Sequence, residues 1–295
     1  MQTVPVKFGT IFPMFSFRAA GWSDVGGRAN NEDSYLINER LGLFIVADGI
    51  GGHEKGEVAS LFSSEELERL ISTVNYNINE GETLDELLPG VQDLTSDEYL
   101  ECAIAMINQK VFEMNEEQGA SLLDPLKKKK RMGTTLVTLL CRGDKAYVSS
   151  VGDSRAYRMT PHALQLLTHD HSWVEERVRE GKLTEDEALV HPKRNVITRS
   201  VGYKPHVLID VDRFTIYPGE RFLLCSDGLS GVLSESQLLA GCLGGNLWDA
   251  CQGLVEKAKK LGSKDNITAV LVEAVKMKDE EQKELFSKVS EETIP

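Results

Sequence analysis

The chain has 295 residues, 41% hydrophobic and 27% charged, with a formal net charge of −13. That length carries one large domain or two small ones with a sizeable core, and the acidic balance argues against a general nucleic-acid binder or a standing partner at an anionic membrane, both of which need a basic face. The five cysteines, Cys102, Cys141, Cys225, Cys242 and Cys251, include no CxxC pair, which predicts a reducing compartment without disulfides.

Residues 1–15 form a loosely held lead-in with one lysine, two prolines and no apolar stretch of signal-peptide length. No segment reaches the roughly 20 apolar residues of a membrane span, and a cytoplasmic location is expected. Residues 34–38 and 41–48 read as strands. Val58, Leu61, Phe62, Leu70, Ile71 and Val74 recur at helical spacing and predict a helix over 56–74. Residues 75–97 are polar and hold Gly81, Pro89 and Gly90, the composition of a loop. Thr95 and Glu98 match a capping box, and Leu100, Ile104, Ile107, Val111 and Met114 stripe the helix that follows. Gly143-Asp144 between the apolar runs 134–142 and 145–151 predicts a hairpin. Short strands are expected at 155–160 and 163–168. A charged stretch, 169–201, holds one small helix near 172–180 and a second cap at Thr184 and Glu187. Strands resume at 207–216 and 221–226. Ser234 and Gln237 cap a short helix, and 247–261 is an amphipathic helix between Asn246 and Gly262. A final strand covers 267–275, and the last twenty residues are charged. There is no regular βαβ alternation. The order suits one α+β domain of antiparallel sheets with helices laid outside.

Four aspartates share a local grammar. Asp48 in FIVADG, Asp153 in VSSVGD and Asp227 in LLCSDG each follow an apolar run, and Asp265 in SKDNITAVLV precedes one. A buried strand thereby delivers a hard oxygen ligand to its own end, the ligand type that magnesium and manganese prefer. Gly49, Gly51 and Gly52 let the backbone after Asp48 turn tightly and approach an ion closely. RANNEDSYLI adds Arg28, whose planar fork matches phosphate oxygens, and the adjacent acids Glu32 and Asp33. Each segment alone also fits an ordinary turn or solvated loop. The histidines lack zinc-type spacing and read as surface or flap residues. The tryptophans read as packing residues, and the Lys127–Arg131 run as a solvated loop. Ser226 lies in no GxSxG elbow.

RANNED, ADGIGGH, MGTT, VGDSRAYR, LTHDHS, HPKRNVITRSVG, LLCSDGL and DNIT follow one another in this chain. In that order they resemble the metal-dependent protein phosphatases of the 2C type, in their bacterial branch, over residues 21–275. The resemblance implies a four-layer α-β-β-α sandwich, two packed antiparallel sheets flanked by helices, over 16–277, with a charged tail at 278–295. It implies a centre of two Mn²⁺ or Mg²⁺ ions at one end of the sandwich. By position, Asp48 would bridge the ions, Asp227 and Asp265 would hold one, and the Gly49 carbonyl would hold the other, with Glu32 reaching it through water. Asp33 would orient metal-bound water, Arg28 would hold the substrate phosphate, and Asp153 matches a third-metal ligand. Residues 169–200 would be the flap beside the site. The implied reaction is hydrolysis of phosphoserine or phosphothreonine in proteins, such as a Ser/Thr kinase or a regulatory switch protein, by a monomer. Two departures stand out. Gly231 occupies a position where many relatives carry a second aspartate, which weakens a third-ion site. Ile50 replaces a histidine that follows the first Asp-Gly in eukaryotic relatives, and the general acid is unassigned. Two rival classes stay open at this level: a phosphoprotein-binding module with decayed catalysis, and another metal-dependent phosphoesterase such as a nuclease or metabolite phosphatase.

Overall fold

A computed structural model describes residues 15–51, 54–80, 94–117, 131–160 and 163–277. In chain order the strands and helices are β1 (Phe15–Asp24), β2 (Asp33–Asn38), β3 (Leu43–Ile50), α1 (Glu54–Glu80), α2 (Ser96–Glu117), β4 (Gly133–Thr134), β5 (Leu136–Arg142), β6 (Lys145–Val151), β7 (Arg155–Thr160) and β8 (Ala163–Leu166). There follow α3 (Trp173–Arg179), α4 (Glu185–Val190), β9 (Asp210–Thr215), β10 (Arg221–Cys225), α5 (Asp227–Ser230), α6 (Glu235–Leu243), α7 (Leu247–Lys260) and β11 (Ile267–Lys276). One sheet runs β1-β11-β10-β7-β8 and the other β2-β3-β5-β6-β9, with β4 paired to β3.

Alternation along the strands builds the layers. In β3, Phe44 and Val46 point between the sheets, where they meet Phe17, Val137, Leu224 and Val270. Leu43, Ile45 and Ala47 point the other way, onto Leu67 and Ile71 of α1 and Ile104 and Ile107 of α2. On the far side, Leu223, Cys225 and Leu271 meet Leu254 and Val255 of α7. Both faces of each sheet are therefore buried, and each large apolar side chain so placed contributes about 1.5–3 kcal/mol. The four-layer α-β-β-α order expected from the sequence is the order observed.

The differences are local. β1 has no counterpart among the predicted strands. It is an edge strand paired with β11 from Phe15↔Lys276 to Asp24↔Ile267, and Phe15, assigned to the lead-in, belongs to the core. β3 continues past Asp48 to Ile50 because Gly49 and Ile50 pair with β4. α1 runs on to Glu80, into the predicted loop. Its buried face is set by Ala59, Leu67, Leu70 and Ile71, which leaves Val58 and Leu61 exposed. β9 begins at Asp210, not 207. Residues 1–14, 81–93 and 278–295, the lysines of 127–130, His53 and His162 lie outside the described residues. Arg131, the last residue of the basic run, is not solvated. It pairs with Glu116 at 2.6 Å and lies over the Phe112 ring at 4.6 Å.

Two buried asparagines of α2, seven residues apart and so on one helix face, hold the segment after the flap. Asn108 accepts from Gly202 N and donates to the Lys204 and Pro205 carbonyls. Asn115 donates to the Met132 and Gly202 carbonyls and accepts from Met132 N at 2.8 Å. Replacing Asn115 with alanine strands a buried amide and two carbonyls. The expected loss is about 2–3 kcal/mol of unfolding free energy, measured by urea denaturation. A change under a few tenths would show that water takes over these bonds.

Candidate metal centre at the sheet rim

Three backbone clamps bring the acids to one rim. Asp48 is held at both backbone groups: its N–H donates to Thr135 Oγ1 at 2.9 Å, and its carbonyl accepts from Thr135 N at 2.8 Å and Thr134 Oγ1 at 2.9 Å. Only its side chain is left to point elsewhere. Asp227 starts α5 directly after β10, whose end is tied to β11 by Ser226 N donating to the Thr268 carbonyl and Thr268 N donating to Ser226 Oγ. That pairing sets Asp227 beside Asp265. Asn266 fastens the 25–32 loop to the same place, accepting from Glu32 N at 2.9 Å and donating to the Val25 and Asn30 carbonyls. Gly49 lies so close to the Gly56 and Glu32 backbones that a Cβ would sit 2.4–2.5 Å from them. No other residue fits there without moving the chain.

The result is a cleft of about 220 Å³ lined by Arg28, Glu32, Asp48, Gly49, Asp153, Asp227 and Asp265. At about 30 Å³ per water it has room for ions, their waters and a phosphoryl group. Asp33 does not line it. Asp33 pairs with Asp48 across β2 and β3, and its Oδ2 accepts from Thr268 Oγ1 at 2.6 Å and Ser226 Oγ at 2.8 Å. It ties one sheet to the other behind the cleft. Arg28, half exposed at 57%, donates to Asp265 Oδ2 at 2.6 Å. The sequence reading gave no role to Asn266, Thr134 or Thr135, although DNIT and MGTT mark them. Nor did it single out Asn195 and Ile197 of the flap, which also line the cleft. It placed His171 on the surface or flap, but His171 is buried, held between the Gly152 turn and Asp210.

The electrostatics are those of crowded buried acids. Burial, then the Asp33 and Asp227 charges, lifts the Asp48 pKa well above its ordinary value. Burial and neighbouring aspartates push Asp33 up to about 7, Asp153 to about 8 and Asp227 to about 6. Asp33 Oδ1 and Asp227 Oδ1 are buried with no hydrogen-bond partner. Like-charged carboxylates so arranged are stabilised by cations or protons. Among the described residues no three His, Cys, Asp or Glu side chains close into a cage for a single ion. The acids instead face a shared space from several walls. That donor set fits hard cations whose shells are completed by a backbone carbonyl and water.

A two-sheet sandwich with this rim is the architecture of a phosphatase catalytic domain. A structure of the serine/threonine phosphatase PstP/Ppp of Mycobacterium tuberculosis superposes with a TM-score of 0.73 at 31% identity, covering 89% of this chain and all of that one. The catalytic domain of PstP in complex with two manganese ions gives 0.70 at 29% identity, covering 88% of this chain and 99% of that one. The serine/threonine phosphatase Stp of Listeria monocytogenes is 32% identical over 251 residues, 85% of this chain and 89% of its own length. The protein phosphatase 2C family profile matches residues 20–272. The chain belongs to the protein phosphatase 2C family and is a serine/threonine protein phosphatase of that type. No helix among the described residues is long and apolar enough to cross a membrane.

The raised carboxyl pKa values make the metal-free protein pH-sensitive. A carboxyl whose pKa is higher folded than unfolded binds its proton more tightly in the native state, so the stability this gives at low pH is lost as pH rises through the folded pKa. Here the loss begins near the ordinary carboxyl value of 3.8 and is complete by about pH 8, as Asp227, Asp33 and Asp153 give up their protons at about 6, 7 and 8. In EDTA the protein should melt at a lower temperature at pH 8 than at pH 5.5. Manganese should close the gap by stabilising mainly the pH 8 sample. Equal melting at both pH values in EDTA would contradict the crowding.

Proposed function

We propose that this phosphatase hydrolyses phosphoserine and phosphothreonine in proteins at a binuclear Mn²⁺ or Mg²⁺ centre in the acidic cleft. The observation that carries this is the convergence of Asp48, Asp227 and Asp265, distant in sequence, on one cleft that Arg28 also lines. Asp48 would bridge the two ions, Asp227 and Asp265 would hold one, and the Gly49 carbonyl and Glu32 the other. When bound, two such ions lower the pKa of water and offset charge on phosphoryl oxygens.

The chain's own groups do the rest. Arg28 orients the substrate phosphate through its guanidinium fork. Its present partner is Asp265, which would have to share that pairing with a bound cation. Asp33, hydrogen-bonded by Ser226 and Thr268, fixes β2 to the end of β10 and to β11 behind the cleft. Asp153 lies on the same cleft, with Gly231 leaving it without a second carboxylate for a third ion. The cleft is open enough for a phosphorylated loop of another protein, such as a kinase or switch protein, and the enzyme acts as a monomer. The five cysteines are free thiols, which agrees with a cytoplasmic location.

Replacing Asp48 with asparagine should leave the melting temperature of the Mn²⁺-free protein unchanged or higher, since a buried charge is removed. It should abolish release of phosphate from a phosphothreonine peptide. Replacing Arg28 with alanine should instead raise KM about ten-fold or more, the weight of a charge-assisted hydrogen bond, with a smaller effect on kcat. Wild-type turnover that survives EDTA, or full activity of the Asp48 variant in excess manganese, would sink this assignment.

A further inference from the structure

The flap returns to the sandwich through one buried side chain. Its two ends close on each other where Ser172 bridges Ile197 and the His171 carbonyl accepts from Thr198 N at 2.7 Å. Between those ends the flap reaches the cleft with Asn195 and Ile197. His171 itself is 2% exposed. Its backbone N–H donates to the Gly152 carbonyl at 2.8 Å, and its Nδ1 accepts from Gly152 N–H at 3.0 Å. This is a reciprocal pair on the residue just before Asp153. The accepting Nδ1 places the ring proton on Nε2, which donates to Asp210 Oδ2 at 3.0 Å. Asp210, the first residue of β9, also accepts from Arg199 Nη1 at 2.8 Å. Arg199 lies at the far end of the flap.

We propose that His171 is a positioning residue that latches both ends of the flap to the turn presenting Asp153, so that flap and acidic cleft keep one relative geometry.

Three features support the latch over a histidine that merely fills space. Both hydrogen bonds of the pair land on Gly152, and that residue has little freedom to adjust. Its φ is +108°, and a Cβ there would sit 2.6 Å from Thr135 Cγ2, the threonine whose hydroxyl and amide clamp Asp48. The turn is held from its other side as well. Arg155, two residues past Asp153, makes a two-pronged pair with Asp170 at 2.8 and 2.6 Å, next to His171. The ring is also held in its accepting form. Burial lowers its pKa, and the nearby Arg199 adds to this, against the opposing pull of Asp210. Only the neutral imidazole has a nitrogen that accepts. Flap, Asp153 turn and Asp48 strand are thus linked by hydrogen bonds, from His171 to Gly152 and between Ser154 Oγ, beside Asp153, and Thr135 Oγ1 at 2.7 Å. A manganese readout of the latch rests on the reading of the cleft as a metal centre, and a hydrogen-exchange readout stands without it.

The test uses the full chain, without metal and then with manganese alone. Asparagine at 171 sets an amide oxygen near the place of Nδ1 and keeps the Gly152 contact. Glutamine reaches toward the place of Nε2 and keeps the Asp210 contact. Hydrogen exchange of the metal-free proteins should show flap peptides within 169–200 opening about ten-fold faster in His171→Ala than in wild type, the weight of one or two buried hydrogen bonds. Manganese titration calorimetry should show weaker binding in His171→Ala, with most of the affinity restored in His171→Asn and little in His171→Gln. Wild-type flap exchange in His171→Ala, or an asparagine variant no better than the glutamine one, overturns the latch. If the alanine variant fails to fold, the asparagine and glutamine comparison decides alone. Neither readout needs a substrate, so an inactive wild type would sink the proposed reaction and leave the latch still decidable.

Discussion

Everything at this rim follows from one unfavourable arrangement, the crowding of buried carboxylates. Asp33, Asp48, Asp153 and Asp227 all have pKa values pushed upward by burial and by one another. Each unit of such a shift corresponds to about 1.4 kcal/mol. Several together are a large fraction of the roughly 5–15 kcal/mol that keeps a domain folded. A chain does not hold like charges together unless the surroundings force them and something else neutralises them. The surroundings are visible: hydroxyls and amides clamp the backbone at each acid, so that the side chains cannot relax apart. The similar catalytic domain of PstP is in complex with two manganese ions.

The placement of the acids depends on the sandwich as a whole. Asp48 comes from one sheet, Asp227 and Asp265 from the other. Their separation is set by the side chains between the sheets, Phe44, Val46, Leu224 and Val270 among them. Packed sheets stand about 10 Å apart, close enough for acids at the rim of one to share ions with the rim of the other. Asp33 adds a polar rivet at the same end. It belongs to β2 and takes its hydrogen bonds from Ser226 and Thr268, at the end of β10 and in β11. A residue expected only to orient water therefore also fixes the distance across which ions would be held.

The sequence made the sheet interior legible because near-continuous apolar runs such as 43–47 and 136–140 bury both faces. It also made most of the cleft legible, since Asp48, Asp153, Asp227 and Asp265 announce themselves beside such runs. It was poor where a side chain's role depends on a distant backbone. Asn108 and Asn115 sit at spacing that marks a helix face, but nothing local says that the face covers Gly202 and Met132. β1 alternates only at its start, where Ser16 and Arg18 are exposed and Phe15 and Phe17 are buried, and the Ala19-Ala20-Gly21 stretch that follows carries little strand signal. His171 resembled any polar residue in a charged stretch. Its burial comes from Gly152 and Asp210, nineteen and thirty-nine positions away.

The Arg28–Asp265 pair bears on the order in which ligands enter. On the proposed assignment each partner has a second duty, Arg28 toward the phosphate and Asp265 toward a cation. A phosphate arriving first would draw Arg28 away and leave Asp265 beside Asp227, whose carboxyl its charge already helps to raise. A cation arriving first would satisfy Asp265 and release Arg28 into water, at small cost to a side chain that is already 57% exposed. The second order removes repulsion before adding another anion. On that assignment the Arg28–Asp265 pair, which offsets one of the cleft's charges in the absence of ions, would keep Arg28 in reserve until a cation took its place beside Asp265.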